Sequence, residues 1–249
     1  VNVALTTARE FLRHVLWRSG AYGVLTAYRA ANRRSSAHLR HEDARARFAE
    51  IYATGAWQVD AADDAPGSGA GSSLAATATL RAALPPLLDA LGCVRLLDVG
   101  CGDFTWMQHV EITQDYVGVD IVDAVVVANR ERFGRPGRVF ETMDAAVDRL
   151  PDADVVLCRE VLFHLSFDDI RKVLGNLLSS PTRRFLIATS DRQTLFNADI
   201  PTGDFRLLNL EARPLRFPPP DRVIDDAFVS PRRIIGVWDT KRLSSLMRR

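Results

Sequence analysis

Several things are scarce in this chain, and each scarcity removes a class of protein. Three cysteines (Cys93, Cys101, Cys158) are an odd number, widely spaced and without a Cys-x-x-Cys pair. A disulfide scaffold and a structural zinc site are therefore not expected, and the thiols read as reduced, in a cytoplasmic protein. Lysine is almost missing: Lys172 and Lys241 stand among 32 basic residues, against 31 acids, for a net charge of +1. That balance gives no overall reason to expect nucleic acid or a membrane surface as partner. No apolar run reaches the roughly 18 residues that a spanning helix needs. The longest candidate, near Leu74 to Leu91, is interrupted by Arg81, Pro85 and Pro86. No metal site is expected, because no His/Asp cluster has ligand spacing, and Asp168-Asp169 reads as charge at a helix start.

What is present is ordinary globular composition, 47% apolar and 25% charged over 249 residues, long enough for a full core. The chain is organised around Arg95 to Met107, read Arg-Leu-Leu-Asp-Val-Gly-Cys-Gly-Asp-Phe-Thr-Trp-Met. An apolar run meets a Gly-x-Gly turn, which predicts a buried parallel strand, a tight turn and then a helix with its N-terminus toward a ligand. Gly100 and Gly102 permit backbone angles or close approaches that a Cβ would block. Asp98 stands at the strand end.

From Val1 to Arg40 there are seven arginines and one acid, Glu10. Phe11, Leu12, Val15 and Leu16 fall at helical spacing among Arg9, Arg13 and Arg18. A transit peptide and a membrane-surface helix are two readings of this stretch. A basic arm packed on the domain is a third, favoured by Trp17, Tyr22 and Tyr28 as packing residues and by the lack of a cleavage signal. Residues 36 to 53 predict an amphipathic helix with Leu39, Phe48, Ile51 and Tyr52 on its apolar side. Ala65 to Ser73 is the Gly/Ser-rich stretch, readable as a linker or as an ordered loop feeding a helix from Leu74 to Leu88.

Beyond the turn, strand and helix alternate. Strands are predicted at 115–119, 138–142, 154–158 and 184–189, with helices at 123–133, near 145–150, and from the Ser166 cap to 178. Near-continuous apolar strands in such units mean a parallel sheet covered on both faces, with ligand-binding turns at one edge. Residues 191–222 break the rhythm and read as a functional loop. A hairpin of two short strands, about 222–229 and 233–238, then closes the sheet.

A Gly-rich turn after the first strand and an acid after the second, Asp120, suit two cofactor classes. A dinucleotide site wants a third glycine where Thr105 stands, which argues against a nicotinamide cofactor. The series Leu96-Leu-Asp98-Val-Gly100-Cys-Gly102, Val117-Gly-Val-Asp120, Met143-Asp144 and Asp154-Val-Val-Leu-Cys158 resembles the class I S-adenosylmethionine-dependent methyltransferases. The resemblance spans about residues 94–190. It implies an α/β fold with a doubly wound, seven-stranded, mostly parallel Rossmann-like sheet. An N-terminal helical cover with the Ser/Gly loop (residues 1–73) would precede a methyltransferase domain (residues 74–249). It further implies S-adenosyl-L-methionine held by Asp98, Gly100 and Gly102 at its methionine part. Asp120 with Ile121 would meet the ribose and Met143 with Asp144 the adenine, while the Cys158 backbone would lie near the methionine moiety. A bacterial subgroup of the family carries a Ser-Gly-x-Gly-Ser loop before the first strand and Cys-Arg-acid with His-Leu after the fourth. Ser68-Gly-Ala-Gly-Ser72, Cys158-Arg-Glu160 and His164-Leu165 resemble that pattern, which brings Ser68 and Gly69 into the expected cofactor pocket. The family often has a third glycine where Phe104 stands, and Phe104 and Trp106 suggest a bulkier wall beside the cofactor.

The resemblance also narrows the acceptor. Nucleic-acid amino-methylating relatives carry Asn/Asp-Pro-Pro-aromatic after the fourth strand, where this chain reads Cys158-Arg-Glu-Val. Protein arginine methyltransferases need two glutamates there, and only Glu160 is present. A small-molecule or glycan acceptor with an oxygen nucleophile is therefore expected. His164 is the candidate base, its imidazole titrating near neutral pH, with Glu160 in reserve. Arg159, Asp204 and Arg206 are candidate substrate-binding residues. The same arginines also read as simple partners of Glu160 and Asp204, and His164 as a helix-start packing residue. A non-catalytic cofactor-binding subunit and, further off, an NAD-dependent oxidoreductase are the competing readings.

Overall fold

We describe, from a computed structural model, residues 2–24, 27, 36–58, 66–227 and 230–247. The expectations for Tyr28, Ala65 and Val229 lie outside these residues. Seven strands form one sheet: β1 Arg95–Val99, β2 Asp115–Asp120, β3 Arg138–Thr142, β4 Val155–Cys158, β5 Phe185–Asp191, β6 Arg222–Asp225 and β7 Arg233–Asp239. Their order is β3-β2-β1-β4-β5-β7-β6. The first five run parallel, and β7 lies antiparallel between β5 and β6.

Alternating side chains send each strand into two cores. Leu97, Val99, Val156 and Cys158 pack on one face with Ile170, Val173, Leu174 and Leu177 of α5 (Phe167–Ser179). Leu96, Val155 and Leu157 pack on the other with Leu80, Leu84, Leu87 and Leu88 of α3 (Ala78–Ala90). Helix α3 runs straight through Pro85 and Pro86. Burial of its four leucines outweighs the missing backbone donors. Further helices among the described residues include α1 Val3–Arg18, α2 Ala44–Thr54, α4 Asp123–Phe133 and α6 Thr240–Met247. Among the described residues, no helix is long and apolar enough to cross a membrane.

The sheet and its covering helices match the expected architecture. Three local expectations do not hold. No α-helix follows the Gly-x-Gly turn; residues 103–114 hold only a short 3-10 turn, Met107–His109. Phe104 sits at φ 59, a left-handed angle no α-helix tolerates. Residues 145–150 form turns rather than a helix, and the helix expected over 36–53 is divided into a 3-10 turn, Ala37–Arg40, and α2. Asp43 caps α2 by accepting the Ala46 N–H at 2.7 Å, and Gly55 ends it at φ 63.

Residues 192–221, between β5 and β6, contain neither helix nor strand. The N-terminal elements hold them. Leu195 N–H donates to Thr7 Oγ1 (3.1 Å) and Asp199 N–H to His14 Nδ1 (3.2 Å). Arg13 donates to the Phe205 carbonyl, Tyr22 to the Asp204 carboxylate, and Arg47 to the Thr202 carbonyl at 2.8 Å.

Candidate active site

The turn after β1 is tied to its neighbours by backbone. Gly100 (φ 70) and Cys101 both donate to the Val119 carbonyl, at 2.8 and 3.1 Å. A Cβ on Gly100 would collide with Val161 Cγ2, so glycine is required twice over there. Asp120 accepts the N–H groups of Gly102 and Val122, each at 3.0 Å, and Asn129 Nδ2 donates to the Gly102 carbonyl at 2.7 Å. Burial pushes the Asp120 carboxyl up, against those donors. Asp98 is also buried; its carboxyl is raised to about 7 by burial, which the 2.7 Å bond from the Tyr116 hydroxyl only partly offsets.

The Ser/Gly loop is seated on this turn rather than strung as a linker. Ser68 donates through its N–H and its hydroxyl to Asp103, at 3.2 and 2.9 Å. The Gly71 carbonyl accepts from Arg159 at 2.8 Å, and a Cβ on Gly71 would fall into the Glu160 carboxylate. Glu160 holds φ 58, a left-handed angle uncommon outside glycine, and its N–H donates to Thr189 Oγ1 at 3.0 Å.

Two cavities adjoin at this edge of the sheet. The first, about 380 Å³, is lined by Ser68, Asp98, Gly100, Gly102, Asp120, Ile121, Met143 and Asp144, with Phe48, Tyr52, Trp57 and Trp106 as aromatic walls. The second, about 440 Å³, is lined by Gly69, Thr189, Asp191, Gln193, Phe163, Phe205, Ser230 and Arg233. Trp57, Ser68, Glu160 and His164 border both. The sizes fall in the range of small-molecule sites, roughly 300–1,000 Å³.

His164 stands at this seam. Its Nδ1 lies 2.8 Å from the Asp204 carbonyl, an acceptor, so Nδ1 carries the proton and Nε2 keeps its lone pair. The ring stacks on Trp57, centroids 4.8 Å apart. Burial lowers its pKa to about 4, against the opposing pull of the Asp204 carbonyl and Glu160. The imidazole is therefore neutral at physiological pH.

The other sequence candidates are placed differently. Glu160 is no free base: although burial pushes its carboxyl up, Arg159 (2.9 Å) and Arg233 outweigh that and hold it below the ordinary range. Arg159 lines the first cavity, spent on Glu160, Gly71 and the face of Trp106 at 5.5 Å. Asp204 lines neither cavity; Tyr22 engages its carboxylate, and its contribution at the site is the carbonyl that orients His164. Arg206 borders the second cavity but is fully buried, its guanidinium 4.9 Å over the ring of Phe167 and its pKa lowered to about 10 by burial. An acceptor cannot reach it without rearrangement. Cys158 lines neither cavity: its side chain lies in the core against the sheet, its thiol pushed up to about 12 by burial. Phe104 is no cofactor wall either: its ring is buried against Tyr116, Phe133 and Phe140 in the opposite core, while Trp106 does line the cavity. Sequence reasoning missed Trp57, Tyr52 and Arg233 as site residues. The aromatic pair beside Gly55 was the available signal for the first two.

Residues 97–180 match the family described as a methyltransferase domain. No curated protein matches the chain in sequence. Among solved structures, the mitomycin 7-O-methyltransferase MmcR is similar at 20% identity and a TM-score of 0.55, covering 90% of this chain and 67% of its own. The magnesium protoporphyrin IX methyltransferase ChlM from Synechocystis PCC 6803, solved with bound SAH, is similar at 20% identity and a TM-score of 0.40, covering 49% of this chain and 59% of its own. The match to a methyltransferase domain over residues 97–180 thus falls on the part of the sheet whose strand ends carry the Gly-x-Gly turn, Asp120 and Asp144.

Proposed function

We propose that the chain methylates a hydroxyl oxygen of a small-molecule or glycan acceptor held in the second cavity, with His164 as general base. The observation that carries this reading is the seam: a neutral imidazole whose tautomer leaves Nε2 as acceptor, bordering both cavities at once. The acceptor class rests on the second cavity's lining. Trp57, Phe163 and Phe205 supply aromatic walls, and Asp191, Gln193 and Ser230, bonded to one another, supply a polar wall with Thr189. That combination suits a polyol or hydroxylated ring.

S-adenosylmethionine supplies an electrophilic methyl on a sulfonium sulfur. In the first cavity Asp120 would accept the ribose hydroxyls, Asp144 the adenine amino group, and the turn from Asp98 to Gly102 would hold the methionine part. This chain's residues then do two things. The walls shared by the cavities hold acceptor oxygen and methyl in line, a contribution that can reach roughly 7–11 kcal/mol. His164 Nε2 takes the hydroxyl proton as the oxygen–carbon bond forms and the sulfur–carbon bond breaks, worth about 10²–10⁴-fold.

The test offers hydroxylated aromatics and sugars with S-adenosylmethionine, follows S-adenosylhomocysteine release, and locates the new methyl by NMR. Methylation at oxygen is expected, and His164→Ala should cut turnover by roughly 10²–10⁴-fold with S-adenosylhomocysteine affinity unchanged. Methyl transfer to nitrogen or carbon, or full turnover by the variant, would sink the assignment.

A further inference from the structure

We infer that the outward face of α1 docks on an anionic membrane surface. This inference goes beyond the methyl-transfer reading and does not rest on it. At the 100° per residue of an α-helix, Phe11, Ala4, Val15, Ala8, Leu12, Leu5 and Leu16 fall on one unbroken arc, bounded by Arg18 on one side and Arg9 on the other. The opposite arc carries Arg13, Thr6, Trp17, Glu10, Val3, His14 and Thr7, several of which grip the loop after β5. Apart from Phe11, whose ring meets Phe196 edge-on at 5.3 Å, the apolar arc is thus turned away from the described residues of the protein. Leu5 is 60% exposed, Phe11 55%, Leu12 59% and Val15 42%.

Other exposed hydrophobics, such as Val94 and Val147, stand on separate segments, whereas these four share one helix. On the loop that the inner arc grips, Leu195 and Phe205 are exposed as well, at 70% and 46%. Scattered single hydrophobics need no explanation, but a contiguous patch rimmed by charge marks an interaction surface.

Charge selects the occupant. The charges that flank the apolar arc are Arg9 and Arg18, both exposed and both positive, whereas the chain as a whole carries only +1. The single acid of α1, Glu10, is buried on the inner face, so α1 shows the outside no negative charge. A folded protein partner would have to bring both an apolar groove and a matching acidic rim. A bilayer with anionic headgroups presents both at once: Leu5, Leu12 and Val15 enter the acyl boundary while Arg9 and Arg18 meet phosphate.

The experiment co-sediments the full chain with vesicles of phosphatidylcholine alone and of phosphatidylcholine mixed with phosphatidylglycerol. Binding should be strong only to the mixed vesicles and should weaken with added salt. Arg9→Gln with Arg18→Gln should weaken it by roughly 30-fold, about fivefold for each arginine. Leu5→Gln with Leu12→Gln should abolish it. Both pairs are exposed, and an unchanged thermal shift with S-adenosylhomocysteine verifies that each variant is folded. Equal binding to neutral vesicles, or no binding to either, overturns the proposal. So does a solution dimer dissolved by the leucine pair in a chain that ignores vesicles, which would assign the face to a second copy.

Discussion

His164 connects the chemistry proposed for this site to a stability measurement that needs no acceptor. Its ring is held neutral, with a pKa lowered by burial from the ordinary 6.5 to about 4. The unfolded chain therefore takes up a proton on this residue as pH falls through 6.5, whereas the folded chain does not until about 4. Stability contributed by the neutral ring is complete above the unfolded value and is lost progressively between those two points. Each pKa unit corresponds to about 1.4 kcal/mol, so the window is worth about 3 kcal/mol. The ring is only partly buried at the border of the two cavities, which makes that figure an upper one.

Other groups titrate in the same range with the opposite sign. Asp98 and Asp204, raised by burial to about 7 and about 6, bind protons more tightly when folded. Wild-type stability alone would mix these effects. The comparison with His164→Asn, which cannot ionise, separates them. Urea unfolding of both proteins across neutral to mildly acidic pH should show the wild-type stability falling relative to the variant by about 2–3 kcal/mol. In turnover, the acid limb should likewise lie well below 6.5. A wild-type-to-variant gap that stays constant across the window would mean an ordinary imidazole, and the neutral-base argument would be refuted.

Other residues carry further expectations. Gly71→Ala places a methyl inside the Glu160 carboxylate. Overpacking there should cost about 1–3 kcal/mol, lower the melting temperature by roughly 3–10 °C, and weaken S-adenosylhomocysteine binding. An unchanged melting point and affinity would return the loop to a linker. Asp120→Asn should raise the S-adenosylhomocysteine Kd by roughly 10–100-fold in calorimetry, because a charged hydrogen-bond partner is worth about 1.5–3 kcal/mol; a change within experimental error would remove Asp120 from the ribose site. Glu160→Gln should destabilise by about 3–5 kcal/mol, since Arg159 and Arg233 lose their shared counter-charge. A stable Gln variant without turnover would instead make Glu160 the base and displace His164.

The sheet was legible because its signals are local. Four of the five parallel strands are apolar runs bounded by turn residues, and parallel crossovers necessarily bring their C-terminal ends to one edge. Knowing that edge was enough to gather Asp98, Gly100, Gly102, Asp120, Met143 and Asp144 around one cavity. The acceptor side was not legible, for three physical reasons. Arg159 and Arg206 could be read equally as ligands or as internal partners, and only three-dimensional burial separates the two. The group that orients His164 is the Asp204 carbonyl, which no side-chain pattern encodes. Phe104 was misplaced because its left-handed backbone ends any helix after the turn and sends the ring under the sheet.

The buried charges around Glu160 show how the two cavities are kept in register. Arg159, Glu160, Asp226 and Arg233 form a chain of ion pairs joining the end of β4 to the start of β7. Such pairs seldom add net stability, since desolvation offsets their attraction, so geometry is the more economical account of their presence. From that network Arg159 reaches the Gly71 carbonyl and the face of Trp106, which fixes the Ser/Gly loop and one wall of the first cavity. Arg233 lies 5.9 Å over Phe163, which fixes a wall of the second. The left-handed turn at Glu160 seats Val161 against Gly100 on one side and the carboxylate against Gly71 on the other. A change in any of these residues must therefore be felt in both cavities. In the transfer proposed here, packed charges and backbone angles would set the distance between methyl donor and acceptor, which is what an in-line transfer requires of its protein.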